Sequence, residues 1–146
     1  MKQFIRIGVA FAALFSFSVL AGYTQPAPVD VQLNGDGSGF AGGDMVSARY
    51  ADNETEFIGC GSRVFSDGAG GTFEWGFCQG EDVEGDRAFC TTTDPAMLES
   101  MSSTSDYAFV TFRWNASGEC EYIGFSTQSF YLPDQPEFPG SPGRGR

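Results

Sequence analysis

Histidine is absent from the 146-residue chain, and lysine occurs once, at Lys2. The missing imidazole removes whole reaction classes. A Ser-His-Asp triad and a Cys-His pair both need it to take the nucleophile's proton, and zinc hydrolysis on imidazole ligands needs it too. A P-loop needs a lysine directly after its glycines, and Lys2 cannot supply that. No G-x-S-x-G elbow occurs either, because Ser38 and Ser62 sit beside glycines at the wrong spacing. Positive charge is also scarce: 8 Lys and Arg stand against 19 Asp and Glu, a formal net charge of −11. A surface this negative repels phosphate backbones and anionic membrane faces, so nucleic acid is not an expected partner. Basic partners and metal cations stay electrostatically possible, and solubility is the plainest use of the charge.

Long apolar runs are missing with one exception. Ile7 to Leu20 is almost uninterrupted and follows the positive residues Lys2 and Arg6; its end, Val19-Leu20, with Ala21 puts small or modest residues ahead of Gly22. This is the three-part pattern of a secretory signal peptide. The run is shorter than the ~20 residues of a spanning helix, and no cysteine follows the cut to carry a lipid. Residues 1–21 are therefore expected to be removed, leaving no membrane anchor and a secreted or periplasmic protein. Lys2 and Arg6 leave with the signal, every carboxylate stays, and arginine becomes the sole cationic side chain.

Cysteine is sparse but even in number: Cys60, Cys78, Cys90 and Cys120. In a small exported chain this reads as two disulfides. A four-thiolate zinc site would show close C-x₂₋₄-C pairs, and none is present.

What remains is punctuated by glycine and rich in aromatics. Residues 22–43 read as an N-terminal lead-in, with Pro26 and Pro28, followed by a Gly-rich loop from Asn34 to Gly43 that suits turns. A β-rich domain is expected over 44–132. Val46, Ala48 and Tyr50 alternate with polar residues, as do Ile58, Cys60, Ser62 and Val64. Phe73, Trp75 and Phe77 share one face of a further strand, and Ala108, Val110, Phe112 and Trp114 that of another; Tyr122 and Gly124 continue the last. Period-two alternation of this composition is the strand signature. Asn115-Ala116-Ser117-Gly118 is expected to close a hairpin between 107–114 and 119–126. Asp94 as N-cap and Pro95 in the first turn predict a helix over about 95–103, with Met97, Leu98 and Met101 on its apolar face. If Asp67 to Gly71 is a turn, Cys60 lies across from Cys78, which favours Cys60–Cys78 with Cys90–Cys120; a one-residue shift would flip the faces, so the other two pairings stay open. Pro133, Pro136, Pro139 and Pro142 recur every third residue, the repeat of a polyproline II helix. Residues 133–146 are expected to be a Pro/Gly-rich disordered tail, with docking to an aromatic groove as the alternative.

The expected fold is thus mainly β, a small disulfide-stabilised antiparallel sandwich or open barrel of about six strands with one short helix. No cofactor is indicated, calcium being the one candidate. Asn34, Asp36 and Ser38, with Gly39 after them, open like an EF-hand loop but lack its closing glutamate. Glu81, Asp82, Glu84 and Asp86 form a second oxygen-rich segment. Trp75 and Trp114 could stack on a sugar ring, although the alternation places them, with Tyr107 and Tyr122, in the core. The expected function is a small acidic non-catalytic binding or extracellular structural module with a protein or glycan ligand. A carboxylate-dependent glycan hydrolase and a calcium-supported or carbohydrate-binding domain are the alternatives.

Overall fold

The computed structural model describes residues 23–133. The expected signal peptide and the proline repeat beyond Pro133 lie outside the described residues. Among the described residues seven strands form two antiparallel sheets. β1 (Asp30–Leu33), β2 (Gly39–Asp44), β6 (Phe109–Trp114) and β7 (Cys120–Ser126) make a four-stranded sheet in the order β1-β2-β6-β7. β3 (Phe57–Ser66), β4 (Thr72–Glu81) and β5 (Arg87–Thr92) make a three-stranded one in chain order. Between them lies a single core of Val31, Ala41, Val110, Phe112 and Trp114 from the first sheet and Ile58, Cys78, Ala88 and Cys90 from the second. Helix α2 (Pro95–Ser102) adds Leu98 and Met101; its cap is Asp94, whose Oδ1 accepts from the Ala96 and Met97 amides. Among the described residues no helix is long and apolar enough to cross a membrane.

Both disulfides take the favoured pairing. Cys60 and Cys78 are register partners on β3 and β4, and Cys90 on β5 bonds Cys120 on β7. The first ties neighbouring strands; the second joins the two sheets. The hairpin expected around Asn115–Gly118 is present as β6–β7, where the Asn115 carboxamide accepts from the Ser117 and Glu119 amides and Gly118 takes a positive φ of 78°.

Three expectations are corrected. The segment 34–43 is not all loop: β1 and β2 pair through it, and only Asn34–Ser38 turns. Glycine is tolerated in β2 because side chains occupy the space a Cβ would need. Gly39 faces the Trp114 indole, and Gly43 packs on Val29. Val29, just ahead of β1, is buried in the same core. Next, Val46–Tyr50 is not a strand. Asp44, almost fully buried, accepts from the Val46 and Ser47 amides at 3.1 and 3.0 Å and caps the short helix α1 (Met45–Arg49). A capping carboxylate outweighed a period-two pattern that is only three residues deep.

The third correction concerns a whole sheet face. Registers Cys60↔Cys78 and Cys78↔Cys90 place the even-numbered residues Ile58, Cys60, Gly76, Cys78, Gly80, Ala88 and Cys90 on the core side, while the far end of the β3–β4 hairpin runs past the core and leaves Val64 65% exposed. The inward side of β4 is then Gly76, Cys78 and Gly80, while Phe73, Trp75 and Phe77 point outward. Small side chains are needed inside because a Cβ on Gly76 would run into Leu98 and Met101.

Candidate functional site

The outward face of β3–β5 carries Phe57, Phe65, Phe73, Trp75, Phe77 and Phe89 together with Arg63. Four of these rings are exposed, Phe73 to 58% and Phe89 to 52%, and Trp75 and Phe77 are half-buried. Four of the six rings pair with one another on the open face. Phe65 and Phe73 are cross-strand partners stacked at 5.0 Å between centroids, and Trp75 stacks on Phe77 at 5.3 Å. The Arg63 guanidinium lies over the Phe77 ring at 5.1 Å, a cation–π contact. On the edge strand β3, Gly59 and Gly61 add no side chain to this face, so the Phe77 ring is flanked by bare backbone. The result is an exposed, largely aromatic sheet face. Arg63, Gln79 and Thr91 lie among the rings, so the face is aromatic but not purely apolar; exposed aromatic surface of this extent often marks a binding face.

Trp75 also borders a cleft of ≈ 450 Å³ lined by Thr91, Thr92, Thr93, Asp94, Glu119 and Cys120. The cleft lies where the two sheets meet, and β5 and β7 are stitched there by the Thr91 amide donating to the Gly118 carbonyl at 3.0 Å and by the Cys90–Cys120 bond. Hydroxyls and two carboxylates thus stand next to one indole. Asp94 is committed to capping α2, and Glu119 accepts from the Asn115 carboxamide at 3.0 Å. Both carboxylates are exposed.

The other sequence candidates sort differently. Trp114 is only 5% exposed, and its Nε1 donates to the Gly37 carbonyl at 3.0 Å, so it braces the β1–β2 turn from the core and offers no stacking face. Tyr107 and Tyr122, expected in the core, are exposed; the Tyr122 ring lies on the outside of β7 beneath the Arg113 guanidinium. Asn34, Asp36 and Ser38 bond to one another. Asp36 Oδ1 accepts from the Ser38 hydroxyl at 2.7 Å and from its amide at 2.9 Å, which holds the Asp36 carboxyl below its ordinary value. In the β4–β5 turn, Asp82 is buried and accepts from the Val31 amide of the opposite sheet and from the Asp86 amide, while Glu81 pairs with Arg87 at 2.8 Å. Glu84 and Asp86 are exposed. These oxygens close turns and join sheets. Among the described residues, three metal-ligating side chains converge only at Cys78, Cys90 and Cys120, whose sulfurs are spent in disulfides.

The sequence places Phe73, Trp75 and Phe77 on one face but assigns that face to the core, and it does not single out Thr91–Thr93, Phe57, Phe65 or Phe89 as neighbours of Trp75. The parity of the cysteines was the available signal: half-cystines on even positions of β3–β5 that reach another sheet put the odd, aromatic positions outside. Comparison of the chain with protein-family models, curated proteins and solved structures finds no match.

Proposed function

We propose that the chain is an exported, non-catalytic binding module that holds a glycan strand against the outer face of β3–β5, with Trp75 at the centre. The observation that carries this reading is the half-exposed indole standing between exposed aromatic rings and a cleft of threonine hydroxyls and carboxylates. A pyranose ring has an apolar C–H face and a rim of hydroxyls. The rings of Trp75, Phe77 and Phe73 suit the first, and Thr91, Thr93, Asp94 and Glu119 the second. The strong negative charge favours neutral or amino-bearing sugars over acidic ones. The leader-like residues 1–21 and two disulfides support export.

Hydrolysis is the second reading, because Asp94 and Glu119 line one cleft beside Trp75. A general acid needs a carboxyl kept protonated by burial, whereas both of these are exposed and hydrogen-bonded. Binding is the better fit.

Affinity electrophoresis on native gels containing xylan, a soluble β-glucan or glycol chitosan tests the proposal. At least one should retard the protein, and Trp75→Ala should weaken that binding about tenfold, about 1.4 kcal/mol, with thermal stability retained. Free migration in all three gels, or retardation that Trp75→Ala leaves unchanged, would refute it. Release of reducing sugar from the bound polysaccharide would favour hydrolysis instead.

A further inference from the structure

The two disulfides are adjacent, and the register that pairs Cys60 with Cys78 also pairs Cys78 with Cys90. Three cysteines therefore stand in one row across β3, β4 and β5, on the core side. The sulfurs of Cys78, Cys90 and Cys120 all lie within 4.8 Å of one another. Their accessibility is graded: Cys78 and Cys90 are fully buried and Cys120 is 7% exposed, while Cys60, on the edge strand, is only partly buried.

We propose that Cys60 is a thiol-reactive modification site whose attack is relayed inward, moving the disulfide from Cys90–Cys120 to Cys78–Cys90 and freeing Cys120. The co-reactant is a small external thiol, attacking as its thiolate. It bonds to Cys60 Sγ; the Cys60–Cys78 bond breaks and its electron pair leaves on Cys78 Sγ. Cys78 then attacks Cys90 Sγ. The Cys90–Cys120 bond breaks, and its pair leaves on Cys120 Sγ, which takes a proton from water. Two disulfides exist before and after, one of them now the mixed disulfide at Cys60, so the exchange is redox-neutral. A second external thiol can release Cys60 and leave as its own disulfide.

The second step requires Cys78 to turn, because exchange needs three sulfurs nearly in line and, with all three within 4.8 Å of one another, Cys78 Sγ lies off the axis of the Cys90–Cys120 bond. Directly opposed residues of an antiparallel pair have Cα atoms about 4.5–5.5 Å apart, inside the range a disulfide spans. Cys78 can therefore reach Cys90 by turning its side chain, with no strand displaced. The consequence is specific: Cys90–Cys120 is the bond that joins the two sheets, and Cys120 lines the cleft beside Trp75. Exchange unties the sheets at that cleft. The inference holds whether or not the cleft binds sugar.

The sequence makes the test direct. Past Lys2 there is no lysine, and Arg63, Arg87 and Arg113 separate the four cysteines, so trypsin puts each on its own peptide. Folded protein is treated with limiting glutathione, quenched with an alkylating reagent, and digested without reduction. The expected products are glutathione on the Cys60 peptide, a Cys78–Cys90 cross-link and alkylated Cys120, while near-UV circular dichroism still reports folded protein. Alkylated Cys78 with Cys90–Cys120 intact, or labelling of all four cysteines only on unfolding, would overturn the proposal. Cys78→Ser removes the relay and should abolish Cys120 labelling; persistent labelling would also overturn it. If that variant does not fold, the wild-type peptide map decides alone.

Discussion

Replacing Gly39 by alanine adds one methyl where β2 and the Trp114 indole share a space. The new Cβ would meet the Trp114 ring and lie 2.5 Å from the Gln32 carbonyl of β1. Neither neighbour can yield cheaply. The carbonyl belongs to a strand paired with β2 at Leu33↔Gly39, and the indole is pinned by its bond to Gly37 and sealed in the core. Overpacking of this kind costs about 1–3 kcal/mol, and displacing the indole adds the Gly37 hydrogen bond, about 1 kcal/mol. Against this stands the lower chain entropy of alanine in the unfolded state, a gain of about 0.4–1 kcal/mol. The net expectation is a loss of about 2 kcal/mol, or roughly 8 °C in Tm for a domain of this size. Gly59 is the control: also in a strand, it leaves its Cβ position open to 4 Å, so Gly59→Ala should be neutral or stabilising by about 0.5 kcal/mol. Urea and thermal unfolding followed by near-UV circular dichroism, with disulfides intact, compare the two. If they fall within about 0.5 kcal/mol of each other, close packing does not explain glycine at 39.

Three further outcomes follow from other contacts. Asp82→Ala should cost about 2 kcal/mol in urea unfolding, because it leaves the Val31 and Asp86 amides without their carboxylate; equal stability would show that Asp82 does not join the sheets. The double change Cys90→Ser and Cys120→Ser opens a loop with a sequence separation of 30 and should lower unfolding free energy by about 3.5 kcal/mol, measured by equilibrium denaturation. Asp36 and Asp67 are both held below the ordinary value of 3.8, Asp36 by the Ser38 hydroxyl and amide, Asp67 by the Ala69 and Gly71 amides. A depressed carboxyl stabilises its turn fully above that value and loses the effect as pH falls through its own lower one. NMR titration should show both turns ordered at pH 5 and loosening below 3.8, with Asp36→Asn and Asp67→Asn each removing the step at its own turn.

Much of the local structure could be read because its causes are local. Asp94 and Pro95 specify α2 by themselves, since a carboxylate in reach of two free amides and a preset φ need no tertiary help. Asn115–Gly118 specifies its hairpin similarly, and counting from that kind of turn paired Cys60 with Cys78. The errors arose where a pattern was short or was overruled from a distance. Val46–Tyr50 alternates, but Asp44 begins a helix there. Gly39–Gly43 looks like loop because only Trp114 and Val29, remote in sequence, explain why a strand there must lack side chains.

The sequence alone set Phe73, Trp75 and Phe77 on one face of their strand and favoured Cys60 across from Cys78, but it left the other pairings open until the structure joined Cys90 to Cys120. Which face would be buried was decided only in the tertiary structure. Hydrophobicity favours the aromatic side, but the sheets and α2 approach closely where Cys90 reaches Cys120 and where Leu98 and Met101 lie over Gly76, and only the small side chains fit between them. Close packing overrode the burial of the larger rings, and that inversion left Trp75 and its aromatic neighbours on the outside.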